Sequence, residues 1–372
     1  MELTDPGVVV VVAVVAVAML VFVVLGRPRP RNRPLRLVSR TVQVLLLNAV
    51  VVLLSFVVLN DQYVFYATWA DLFGSTAPDV QTHHGGSVQQ ALTARVHGPG
   101  LAAVQPGSTA LYALPQPGAR LQTYQVRDPA SGSTGQVLVY LPVGYQPTSS
   151  RRYPVIMGLH GFPGEPQSFV NGNFLSVADQ LTAQHRLAPS IFVIPLINLP
   201  ANVDTECING PPGAPQTETW LSRVVPEWAV QHLRVQTGRT SWATMGLSYG
   251  GWCSAMLTMR HPEVFGAGIV MEGYFRPDFG PSYTPFSPAQ LRPYDLTRLA
   301  AGSPPPVALW VFASRQDHLA YPTTSRFLRA AKPPLSIASV IVPQGGHRPA
   351  VFEPYSGKAL AWLAQTLPGF RP

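Results

Sequence analysis

The pentad Gly246-Leu247-Ser248-Tyr249-Gly250 constrains this chain more than any other feature, because of what flanks it. Residues 240–245 read as a short strand and residues 251–260 as a helix. A G-x-S-x-G run between a strand and a helix is the setting of a nucleophile elbow, where the serine sits on a strained turn. Side chains two residues to either side would collide there, and glycine removes them. The turn lifts the hydroxyl above the sheet edge and aims a helix N-terminus at it. The fold must therefore supply a strand that ends in such a turn and a helix that packs back.

The flanking sequence fits that demand. From residue 120 onward, 122–127 and 136–141 alternate around a Gly/Ser turn, as an antiparallel hairpin does. Continuous apolar strands are then expected at 153–159, 191–196, 240–245, 267–271, 307–313 and 336–342. Helices are expected between them, at about 174–186, 217–236, 249–260, 320–331 and 354–366. Strands apolar at every position, separated by helices, predict a mostly parallel sheet covered on both faces. The fold class is α/β. No internal repeat is present.

A serine nucleophile needs a base, an acid that orients the base, and N–H donors for the oxyanion. In α/β-hydrolases the chain order is serine, acid, histidine. Outside the elbow helix and its end, His318 and His347 are the histidines that follow Ser248. His347 lies in Gly345-Gly346-His347 directly after the last strand, where a loop can bring an imidazole to the serine. His347 is the expected general base. Asp317 follows strand 307–313 and is the expected orienting acid; Glu272, at the end of 267–271, is the alternative. Asp317 could instead cap the helix from residue 320. His261 is expected to close the elbow helix. The oxyanion donors are expected to be Tyr249, next to the nucleophile, and Phe162 in His160-Gly161-Phe162-Pro163-Gly164. Pro163 has no N–H and stiffens that loop. His160 reads as a structural hydrogen bonder.

These motifs together resemble the α/β-hydrolases of the esterase D type, a group that includes S-formylglutathione hydrolases and mycolyltransferases. Thr219-Trp220-Leu221, Pro226-Glu227-Trp228 and Met271-Glu272-Gly273-Tyr274-Phe275 are similar to stretches of those families. The resemblance covers about residues 120–370. It implies esterase or acyltransferase chemistry on an ester or acyl-lipid substrate, with no cofactor and no metal. A catalytically idle domain used for binding is the reading from another class, and the complete serine–acid–histidine order argues against it.

The first 119 residues lie outside the resemblance. Residues 7–26 are almost unbroken Val, Ala, Leu and Met, and 42–59 form a second apolar run. Each is about long enough to cross a bilayer. A signal peptide would carry positive charge before its apolar stretch, and here Glu2 and Asp5 stand there instead. Arg27, Arg29, Arg31, Arg33, Arg36 and Arg40 all fall between the runs, and the next basic residue is Arg95. By the positive-inside rule the 27–40 loop is cytoplasmic and the catalytic part faces the other side. The domain division is then a two-span anchor over 1–59, a juxtamembrane and linker segment over 60–119, and a catalytic domain over 120–372.

Half of the net charge of +8 sits in that anchor, so what remains does not amount to a nucleic-acid surface. Tyr63, Phe65, Tyr66, Trp69 and Phe73 suit either a membrane interface or packing on the globular part. Residues 75–119, rich in Gly, Pro, Ala and Gln, read as a linker, with His83-His84 solvated. Cys207 and Cys253 are either a disulfide that pins a loop beside the elbow or two buried thiols. Substrate, acyl chain length and oligomeric state are not legible in the residues.

Overall fold

In the computed structural model, the structure describes residues 3–25, 32–63, 65–73, 79–108, 112–128, 130, 132, 134–280 and 286–372. Arg27, Arg29 and Arg31 and parts of the 128–133 turn lie outside the described residues. The chain forms two compact units. One comprises Met1–Pro78, Ser314–Leu319 and Val342–Arg348; the other comprises Asp79–Ala313, Ala320–Ile341 and Pro349–Pro372.

The larger unit is built on one sheet. Its strands are β1 (Val80–Gly85), β2 (Leu121–Arg127), β3 (Thr134–Tyr140), β4 (Val155–Leu159), β5 (Ile191–Pro195), β6 (Trp242–Leu247), β7 (Ala267–Met271), β8 (Ala308–Ser314) and β9 (Ser336–Val342). Their order across the sheet is β1-β9-β8-β7-β6-β4-β5-β3-β2. Strands β5, β4, β6, β7 and β8 pair parallel with one another in that order, while β2 pairs antiparallel with β3, β3 with β5, and β1 with β9. Every residue of β4, β5, β7 and β8 is buried, which explains their unbroken apolar sequences. This is the α/β-hydrolase fold.

The elbow helix, Tyr249–Arg260, packs on β6 and β7 with Trp252, Met256 and Leu257 fully buried. Burying a side chain of that size contributes about 1.5–3 kcal/mol each. Its C-terminal cap is His261, as expected.

Two expectations are corrected here. The stretch read as a linker contains β1, which pairs with β9 from Val80↔Ile341 to Gly85↔Ser336. It also contains the helix Val88–Thr93, opened by a Ser87/Gln90 capping box. Strand β1 is a mostly exposed edge strand held by backbone hydrogen bonds, so it carries no apolar alternation to read. The expected helix at 217–236 is interrupted. A π-turn at Trp220–Val224 precedes the helix Val225–His232, and Leu233 is extended. Pro226 cannot donate to a preceding carbonyl, so a regular helical ladder cannot pass through it.

The smaller unit contains helices α1 (Pro6–Leu25), α2 (Arg33–Tyr63) and α3 (Trp69–Leu72). Both long helices are apolar and long enough to span a membrane. Leu20, Val24, Leu45 and Val52 are among the many exposed apolar side chains on them, which a helix buried in a soluble core would hide. Helix α2 starts well before the apolar run at residue 42, so Arg36 and Arg40 lie on its N-terminal turns.

Candidate active site

Ser248 stands at the junction of β6 and the elbow helix with φ 56° and ψ −122°, a left-handed conformation that a non-glycine residue adopts only under constraint. Two backbone hydrogen bonds hold it there. Its N–H donates to the Met271 carbonyl at 2.8 Å, and its own carbonyl accepts from Trp252 N at 3.0 Å. Glycine is forced on both flanks. A Cβ on Gly246 would overlap the Gly250 carbonyl, and one on Gly250 would overlap the carbonyls of Leu159 and His160. Close approach of the β4 end to the first helical turn is therefore what the pentad's glycines permit.

The loop after β4 lies against the serine. A Cβ placed on Gly161 would come within 3.9 Å of the Ser248 Cβ. The rings of Phe162 and Tyr249 meet at 5.5 Å. The Phe162-Pro163 peptide bond is cis. Tyr249 opens the elbow helix, so its N–H belongs to the first turn, which has no intrahelical acceptor. His160 is fully buried, and both its nitrogens are engaged. Nδ1 donates to the Gly161 carbonyl at 2.8 Å, and Nε2 accepts from Ile197 N at 3.3 Å. Burial pushes the imidazole down to about 4, so it is neutral and ties the loop to the end of β5.

In the smaller unit the loops after β8 and β9 are joined. His347 Nδ1 lies 2.8 Å from Asp317 Oδ2, with Asp317 fully buried. The other oxygen, Asp317 Oδ1, accepts from Leu319 N at 3.0 Å. Thus the carboxylate grips the imidazole and is itself gripped. Ser314 Oγ donates to the Gly345 carbonyl at 2.6 Å, and Gly345 N donates to Gln316 Oε1 at 3.2 Å. The helix that follows Asp317 begins at Tyr321 with Ala320 at its cap position, so Asp317 is not a helix cap. The carboxylate paired with His347 Nδ1 is Asp317. Glu272 is buried at the end of β7 with φ 49°, its N–H bonded to the Phe312 carbonyl.

Sequence reasoning left the state of Cys207 and Cys253 open; they form a disulfide, with Cα atoms 5.7 Å apart. The bond pins a loop beside the elbow, as the disulfide alternative expected, but the strain in the loop was not foreseen. Glu206 and Cys207 both have positive φ, at 49° and 53°. Cys207 N donates to Tyr249 Oη at 3.2 Å, Trp252 Nε1 donates to the Glu206 carbonyl at 2.9 Å, and Tyr274 Oη donates to Glu206 Oε1 at 2.8 Å. Burial pushes the Glu206 carboxyl well above the usual range, with Asp204 adding to the effect. This loop therefore braces the first turn of the elbow helix. The strained non-glycine residues left no signal in the sequence.

Comparison with known proteins agrees with this architecture. The model of the Esterase family matches residues 129–366. An uncharacterized protein of Corynebacterium glutamicum is 32% identical over 147 residues, 38% of this chain and 33% of that protein. The chain thus spans about a third of the length of that curated relative. Among solved structures, a ferulic acid esterase superposes with TM-score 0.56 at 19% identity, covering 66% of this chain and 98% of that one. An S-formylglutathione hydrolase from Agrobacterium tumefaciens gives 0.54 at 15% identity, covering 66% and 95%. The fluorophosphonate-binding serine hydrolase FphF of Staphylococcus aureus gives 0.52 at 17% identity, covering 67% and 99%.

Proposed function

The chain belongs to the Esterase family, and we propose that it acts as a membrane-anchored serine esterase with Ser248 as nucleophile. The observation that carries this reading is the strained elbow at Ser248, with the Gly161-Phe162 loop beside it. Strain of this kind costs on the order of 1–3 kcal/mol and persists where surrounding structure enforces it.

Each residue then has one task. Ser248 Oγ attacks the ester carbonyl carbon while His347 Nε2 takes its proton. Asp317 accepts from His347 Nδ1, which fixes the tautomer whose Nε2 lone pair acts as base, and it stabilises the imidazolium. The Phe162 and Tyr249 N–H groups receive the oxyanion; losing one such donor costs roughly 10²–10³ in rate. Collapse of the tetrahedral intermediate expels the alcohol, protonated by His347, and leaves an acyl-Ser248 ester. Water, deprotonated by His347, attacks that ester, and collapse returns the serine and releases the acid.

The anchor reading rests on α1 and α2, with arginines between their apolar runs on the cytoplasmic side and the catalytic part outside the cytoplasm. The Cys207–Cys253 bond is in keeping with an oxidising compartment. The test is hydrolysis of p-nitrophenyl esters of increasing chain length by the full chain in detergent, beside Ser248→Ala. The reading expects wild-type turnover and a loss of several orders of magnitude in the variant. Equal rates in both would end it. Acyl release that needs an added sugar acceptor would turn the assignment to acyl transfer.

A further inference from the structure

The histidine loop is held by a residue far from it in sequence. Asp71 belongs to α3, shortly after the end of α2, and its side chain is only 6% exposed. Its carboxylate takes four hydrogen bonds. Two come from the Arg348 guanidinium, to Oδ1 at 2.6 Å and to Oδ2 at 2.7 Å. One comes from Gly346 N at 2.9 Å and one from Ala67 N at 3.0 Å. Gly346 and Arg348 are the two neighbours of His347, so one carboxylate clamps both sides of that residue. Burial alone would raise the Asp71 carboxyl, but Arg348 and the two backbone donors hold it below the usual range.

The clamp is itself tied to α2. Arg348 also donates to the Phe65 carbonyl at 2.6 Å and lies 4.2 Å over the Tyr66 ring. Tyr66 is fixed to the last turns of α2 by Asn60. Tyr66 N donates to Asn60 Oδ1 at 2.7 Å, and Asn60 Nδ2 donates to the Tyr66 carbonyl at 2.9 Å. A continuous path therefore runs from α2 through Tyr66, by a cation–π contact to Arg348, and on by hydrogen bonds through Asp71 to the backbone N–H of Gly346, so that the residues on both sides of His347 are held. Bidentate charge-assisted pairs of this kind give geometric specificity as well as energy.

We propose that Asp71 is a positioning residue for His347, through which the segment after α2 sets the imidazole's aim; this rests on the serine-esterase reading above. Its removal should act on the chemical step and not on substrate binding, because Asp71 does not touch the reacting atoms. Misplacing a base by about 1 Å can cost on the order of 10²-fold.

The test uses the full chain in detergent, with active sites titrated by a fluorophosphonate so that rates are per competent serine. Asp71→Asn keeps the shape and loses the charged fork. It should lower kcat per titrated site about 10- to 100-fold with KM nearly unchanged. Asp71→Ala combined with Arg348→Ala should lose no more than the worse single change, since both act through one clamp. Asp79→Asn, which breaks an exposed pair with Lys358, is the control and should keep wild-type kcat. A merely structural role would reduce the number of titrated sites and leave kcat per site intact; that result overturns the proposal. If Asp71→Asn gives no titratable enzyme, Arg348→Lys, which keeps the charge without the fork, is read in the same way. Persistent turnover by Ser248→Ala would instead indict the serine reading and not the clamp.

Discussion

Asp317→Asn offers a sharp probe of the acid–base pair because the structure dictates how the amide must sit. One oxygen of Asp317 accepts from Leu319 N at 3.0 Å and the other faces His347 Nδ1 at 2.8 Å. An asparagine has one acceptor, and keeping the Leu319 N–H hydrogen bond keeps its oxygen there. The NH₂ must then point at Nδ1, which becomes the acceptor, and the ring proton moves to Nε2. A histidine protonated at Nε2 cannot take the serine proton. The same change in serine protease triads lowers kcat by about 10⁴, which corresponds to about 5.5 kcal/mol in the barrier. The assay is kcat and KM for one p-nitrophenyl ester on the full chain, with circular dichroism to confirm the fold. The expected result is a loss near 10³–10⁴ in kcat with little change in KM. Glu272→Gln should fall far less, because the carboxylate hydrogen-bonded to Nδ1 at 2.8 Å is that of Asp317. Asp317→Asn within tenfold of wild type, with Glu272→Gln crippled, would refute the reasoning and move the acid to β7.

Three further outcomes follow from the structure. His261 has a carboxylate at each nitrogen, Glu218 at 3.0 Å and Glu263 at 3.2 Å; burial opposes its charging, but these partners raise it to about 9. A raised histidine stabilises the fold fully below its unfolded value near 6.5 and loses that contribution as pH rises towards 9, so His261→Gln should flatten the fall in melting temperature over that window. Cys207→Ser with Cys253→Ser opens a loop with a sequence separation of 46, for which chain entropy predicts a cost of about 4 kcal/mol; unchanged thermal melting would contradict a stabilising bond. A reporter fused after Pro372 should be active only when it requires export, and fluorescence from a cytoplasm-only reporter at that site would reverse the topology.

How far the sequence spoke depended on whether a residue's partner was local. The elbow was legible because backbone clashes fix glycine at set offsets from Ser248, and the parallel sheet because both-face burial writes continuous apolar runs. The pairing of Asp317 with His347 was legible through their positions after strands. Strand β1 was hidden because an edge strand held by backbone bonds needs no pattern in Val80-Gln81-Thr82-His83. The strained pair Glu206 and Cys207 was hidden because neither is glycine, the usual marker of positive φ. Asp71 was hidden for a third reason: its partner Arg348 lies 277 residues away, and nothing short of the fold brings them together.

The measurement that goes most directly to the central claim is to trap the acyl-enzyme. The full chain is mixed with a p-nitrophenyl ester, quenched within the first turnovers, digested and mapped by mass spectrometry. The account predicts one added acyl group on the peptide that carries Ser248, and none in Ser248→Ala. Turnover with no adduct on Ser248, or an adduct elsewhere that survives Ser248→Ala, would contradict it.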